Sequence, residues 1–152
     1  MKNKLTKKEF SLLAKDGRKV LPFFKRIMAD TITPIAAWAN LSMHSNYGFI
    51  LESVDKAKKN GRYSYVGIKP SRVFEYEQKT LFEIVDGKRK KIDNDFFDFL
   101  KNLNDSYKSQ KLDQLPHFTG GIVGYFGYEM IDFFENVPVK KTKYLQIPDS
   151  KF

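Results

Sequence analysis

A chain of 152 residues that is 41% apolar and 15% aromatic has enough apolar surface to bury a core, which excludes an intrinsically disordered protein and predicts one compact domain. The absence of cysteine excludes disulfides, thiolate nucleophiles and Cys-based zinc sites, and fits a reducing cytoplasm. Net charge is +9, but the basic residues are scattered in small groups (Lys7-Lys8, Lys56 to Lys59, Lys88 to Lys91, Lys140-Lys141) and are mostly lysine, the pattern of a solvated surface and not of a nucleic-acid site.

The basic N-terminus is followed by no apolar stretch long enough for a signal peptide or membrane span, so a soluble cytoplasmic protein is expected. Leu5 to Ala14 has helical spacing, with Thr6 and Glu9 at capping-box separation, and should end near Gly17. Lys19 to Phe24 reads as a short extended segment broken by Pro22. Thr33-Pro34 places an N-cap residue before a proline at the first helical position, predicting a helix over about 34–43. Tyr47 to Ser53 and Tyr63 to Gly67 are apolar, aromatic runs of strand length, joined by a Lys-rich turn that ends in Asn60-Gly61. Ser71 to Tyr76, Thr80 to Val85 and Lys88 to Ile92 form a β meander turning at Glu77-Gln78-Lys79 and Asp86-Gly87. Asp95 to Leu103 has helical spacing, and a polar loop should follow through Gln114.

From Phe118 the chain is glycine-rich and apolar up to Tyr128. Glycines within a strand mark places where other groups approach the backbone closely, which predicts a tightly packed strand with Tyr125 and Tyr128 packing their rings. Met130 to Phe134 suits a helical turn. His44 and His117 lie far apart without a ligand cluster, and no phosphate-loop or dinucleotide spacing occurs. No catalytic or metal-ligating set can be assigned.

Glu52-Ser53 is the exception, because a carboxylate and a hydroxyl at the end of an apolar run are costly unless something hydrogen-bonds them. A ligand ammonium would do so. On the chemistry alone, the favoured reading is that Ser53 caps a turn while Glu52 pairs with a lysine of 56–59 or with Arg62.

Two words are more specific. Phe49 to Gly67, with Leu51-Glu52-Ser53 and Gly61-Arg62-Tyr63-Ser64-Tyr65, and residues 120–138, with Gly120-Gly121-Ile122-Val123-Gly124-Tyr125, resemble the N-terminal part of anthranilate synthase component I. The resemblance runs from about Val20 to Phe152, and Ile147-Pro148-Asp149 is similar to that family's Leu-Pro-Asp, after which a strand should follow. It implies an α+β fold, here a mostly antiparallel sheet with three or four helices, taken from a layered architecture in which N- and C-terminal segments interleave.

It also implies a pocket for L-tryptophan as feedback inhibitor, to which Leu51, Glu52, Ser53, Pro34 and Arg62 correspond. The family's C-terminal chorismate-binding domain, its magnesium site and its catalytic groups have no counterpart here, so residues 1–152 are expected to be a regulatory and structural piece without catalysis or a cofactor of its own. In that family the complete enzyme is a lyase that uses magnesium and takes ammonia from a glutamine amidotransferase subunit. Apolar faces and strand edges left uncovered make a homo-oligomer plausible for the piece alone. The sister family, aminodeoxychorismate synthase component I, shares both words, and a stand-alone binding module is the alternative of another class.

Overall fold

The computed structural model describes residues 7–14, 20, 22–52, 63–107, 115–116, 118–136 and 145–152, with the side chains of 9, 13 and 14 left aside. Its elements in order are α1 (Lys7–Ala14), α2 (Pro34–Ser42), β1 (Gly48–Glu52), β2 (Ser64–Ile68), β3 (Phe74–Glu77), β4 (Thr80–Val85), β5 (Lys88–Ile92), α3 (Phe96–Ser106), β6 (Tyr125–Phe126), a 3₁₀ helix (Tyr128–Phe133) and β7 (Ser150–Lys151). The class is α+β, and every described strand pairing is antiparallel. The chain divides into two compact units, residues 1–70 with 103–121, and residues 71–102 with 122–152.

In the first unit, β1 and β2 form a two-stranded sheet with Gly48 opposite Ile68 and Glu52 opposite Ser64. The expected turn over 55–61 and the cap at Thr6 lie outside the described residues. Ser45 closes the other end of this hairpin: its Oγ donates to the carbonyl of Tyr47 at 2.5 Å and accepts the amide of Lys69 at 3.0 Å. Of the extended segment expected over 19–24, Lys19 and Leu21 lie outside the described residues. Val20 makes a single bridge, and residues 22–29 form neither helix nor strand.

The second unit is built on a five-stranded sheet in the order β5-β4-β3-β7-β6. Alternation gives it an apolar face and a charged one. Phe74, Tyr76 and Leu81 are buried on the first, where α3 supplies Phe96, only 2% exposed and in ring contact with Tyr76, Phe97, Phe126, Phe133 and Phe152. Asp95 caps that helix, its Oδ1 accepting the amides of Phe97 and Asp98 at 2.9 and 3.0 Å. On the other face, the Glu75 carboxylate accepts from Arg89 and from Lys151 Nζ at 2.8 and 2.9 Å, and Arg89 also reaches Glu77 at 2.6 Å. The outer strand β5 exposes Lys88, Lys90 and Lys91, which discourages edge-to-edge pairing.

Two expectations need correction. The glycine-rich run forms a strand over Tyr125–Phe126 only. Gly120 and Gly121 sit at φ +141° and +147°, while Gly124 packs so tightly that a Cβ there would strike the Lys151 carbonyl and Phe152. Tyr125 donates its hydroxyl to the Pro148 carbonyl at 3.1 Å, but Tyr128 is 72% exposed, because the 3₁₀ helix turns its ring outward.

Ile147-Pro148-Asp149 does lead directly into a strand, β7. Asp149 also accepts the Gln78 amide at 2.9 Å, supporting a two-residue β3–β4 turn in which Gln78 and Lys79 both take positive φ, +49° and +60°. That conformation normally calls for Asn-Gly.

Candidate functional site

Thr33 caps α2 as expected, its Oγ1 accepting the Ala36 amide at 3.1 Å, and Pro34 opens the helix. The helix packs on both β1 and β2. Its contact with β1 runs through Trp38, one turn after Pro34, because a Cβ on Gly48 would lie 2.8 Å from the Trp38 ring. A side chain at position 48 would lift the helix away, so glycine is what lets it lie close.

Successive side chains of a strand point to opposite faces, so Gly48, Ile50 and Glu52 share the face that carries α2. Phe49 and Leu51 share the other with Tyr65 and Tyr63, and there Phe118 covers the hairpin, its ring 6.4 Å from Phe49 and 5.2 Å from Tyr65. Pro34 and Glu52 therefore belong to one side of the sheet. Leu51 points to the opposite side.

The register adds what spacing along the chain cannot. It sets Leu51 opposite Tyr65 and Glu52 opposite Ser64, so the word ending at residue 53 and the word beginning at residue 61 meet at one end of the hairpin. Leu51, Glu52, Pro34 and Ser64 are exposed. Ser53 and Arg62 lie outside the described residues. The sequence reading did not single out Ser64, Trp38 or Phe118 as site neighbours. The lone Trp one turn after the Thr-Pro cap was the available signal for Trp38, whereas Phe118 is far off along the chain and carried none.

The firmly held charges are in the second unit. Burial pushes the Glu75 carboxyl up, but hydrogen bonds from Lys151 and Arg89 outweigh it and leave the group below its ordinary value. Burial, with Asp149 and Asp95 nearby, raises the Tyr76 phenol, which stays protonated. These groups stitch β3, β5 and β7 together, and their geometry is structural. Among the described residues no group of three or more His, Cys, Asp or Glu is placed to hold a metal ion, and no helix is long and apolar enough to cross a membrane.

No protein-family model matches the chain. Among curated proteins it is similar to anthranilate synthase component 1 of Acetivibrio thermocellus, 33% identical over 145 residues, which is 95% of this chain and 29% of that protein. It is also similar to the proteins of that name from Synechocystis sp., 32% identical over 92% of this chain and 28% of the relative, and from Neisseria meningitidis serogroup B, 32% over 87% and 27%. The chain thus spans under a third of the length of the curated relatives it matches.

Proposed function

Because this chain is homologous to part of anthranilate synthase component 1, we propose that it is the tryptophan-sensing, non-catalytic N-terminal portion of such an enzyme. The complete protein would convert chorismate to anthranilate in tryptophan biosynthesis, in the cytoplasm, with magnesium and with ammonia from a glutamine amidotransferase subunit. The carrying observation is the Glu52–Ser64 end of the β1–β2 hairpin, where Glu52 is exposed on the face shared with the Pro34 helix.

An amino acid needs an anion for its ammonium, donors for its carboxylate and an apolar slot for its side chain. Glu52 supplies the anion, Ser53 and Arg62 the donors, and Pro34 an apolar edge. Leu51 joins through its backbone, since its side chain belongs to the far face. A chorismate-binding lobe supplies the second wall, so that tryptophan favours one arrangement of the two lobes and lowers activity by its difference in affinity between them.

The test replaces the matching part of the Acetivibrio thermocellus enzyme with this chain and follows anthranilate fluorescence against added L-tryptophan. Tryptophan should inhibit the chimera. Glu52→Gln should raise the half-inhibiting concentration by about tenfold or more, since a hydrogen bond to a charged group is worth about 1.5–3 kcal/mol. Equal inhibition of the parent and the variant would remove Glu52 from the pocket, and micromolar binding of tryptophan to the 152-residue chain alone would remove the need for a second lobe.

A further inference from the structure

The rings on β2 fix the direction of its only hydroxyl outside tyrosine. Tyr63 and Tyr65 are in ring contact at 6.1 Å, and Tyr65 meets Phe118 at 5.2 Å, so both rings belong to the face that Phe118 covers. Alternation then sends Ser64 to the face that carries α2. Its register partner there is Glu52, and side chains directly opposite on antiparallel strands have Cβ atoms about 4.5–5.5 Å apart. Among the described residues, neither the Ser64 hydroxyl nor the Glu52 carboxylate has a hydrogen-bond or ion-pair partner.

Along that face the hairpin changes character in one step. Gly48 with Ile68 and Ile50 with Val66 are apolar pairs whose aliphatic side chains are half-buried, whereas the next pair, Glu52 with Ser64, is polar and exposed. Successive pairs on one face stand about 7 Å apart. An acid and a hydroxyl therefore border an aliphatic surface, an arrangement that suits a ligand with a cationic head and an apolar body.

We propose that Ser64 is a further effector-binding residue of this site, its Oγ accepting a hydrogen bond from the α-ammonium of an amino acid whose ammonium also donates to the Glu52 carboxylate. The inference rests on the tryptophan-sensing reading and deepens it. An ammonium carries three N–H donors, and in a site closed from water each donor left unsatisfied costs free energy. A carboxylate on one strand cannot surround the group. A hydroxyl on the next strand receives a further N–H, and its own proton donates to the Glu52 carboxylate and holds it in place. Glu52 alone would attract any cation, but the pair favours a primary ammonium over a trimethylammonium, which has the charge and no N–H.

The chimera with the Acetivibrio thermocellus enzyme tests this through two side chains of one shape. Ser64→Thr keeps a hydroxyl, Ser64→Val puts a methyl in its place, and both β-branched residues suit a strand. With anthranilate fluorescence followed against L-tryptophan, the Thr variant should stay within about twofold of the parent, and the Val variant should raise the half-inhibiting concentration about fivefold or more. Beside Glu52→Gln, Ser64→Val should shift that concentration by less than about twofold, because both side chains serve one ammonium. Should the Val variant misfold, seen as a Tm below that of the Thr variant, Ser64→Ala takes its place.

Equal half-inhibiting concentrations for the Thr and Val variants overturn the inference. So does a Val shift that is undiminished beside Glu52→Gln, which would assign the hydroxyl to another group of the effector. In either case a parent chimera that tryptophan inhibits leaves the sensing role intact, whereas a parent chimera insensitive to tryptophan ends both.

Discussion

The two units solve the problem of burying aromatic residues in opposite ways. The sheet unit closes Phe96 within five neighbouring rings, sets its charges in pairs across the other face and carries no net charge. The hairpin unit carries the whole surplus of positive charge. Its one described buried residue is Leu103, and Phe23, Ile27, Ile35 and Met43 stay more than half exposed. The difference separates a self-sufficient core from a surface that gains stability only when something covers it, and the residues of the proposed pocket all lie in the second kind.

The largest expected effect tests whether the sheet unit is that self-sufficient. Phe96→Ala removes the ring at its centre and should cost about 3–5 kcal/mol in denaturant unfolding, with loss of amide protection in β3, β4 and α3. If the same substitution strips protection from β1 and β2 to an equal degree, the contrast between the units fails.

Glu75→Gln should cost about 1–3 kcal/mol, because it leaves Arg89 and Lys151 short of their charge partner. The sign of the pH dependence follows from the lowered carboxyl. The stabilisation is complete above the ordinary value of 4.5 and is lost as pH falls below it through the folded-state value. Acid titration of the unfolding midpoint should therefore show a steeper loss below pH 4.5 in the parent than in the Gln variant.

In the hairpin unit, Trp38 is half-buried, so Trp38→Ala should cost only about 1–2 kcal/mol, read as faster exchange of β1 and β2 amides with the sheet unit unchanged. A cost matching that of Phe96→Ala would mean this unit is as well packed as the other. The smallest effect is a gain. Gln78→Asn with Lys79→Gly supplies the residues that left-handed conformations favour and should stabilise by about 0.5–1 kcal/mol, measured as a raised Tm.

The proposed pocket was readable as chemistry but not as geometry. Glu52-Ser53 at the end of an apolar run, and Thr33-Pro34 at a helix start, drew notice from residue type alone, and the structure places Glu52 and Pro34 on one side of the hairpin. That Leu51 turns to the other side follows from strand alternation, yet only the pairing with β2 showed which side carries the helix. Strand β3 was expected from Ser71 and begins at Phe74. The turn expected over Glu77-Gln78-Lys79 is the two residues Gln78-Lys79, and its left-handed form was not legible because its support is the Asp149 carboxylate 71 residues further on.

Local signals were strong wherever neighbours along the chain decide the conformation. The Thr-Pro cap of α2, the Asp95 start of α3, the Asp86-Gly87 turn and the β4–β5 meander follow from side chains bonding adjacent backbone and from alternating polarity. Tertiary structure alone decided the insertion of β7 between β3 and β6, the outward ring of Tyr128, the meeting of the two motif words and the gathering of all net charge in one unit. Each of these depends on which distant segments touch, and the free energy of such contacts is not written in any local window of the chain.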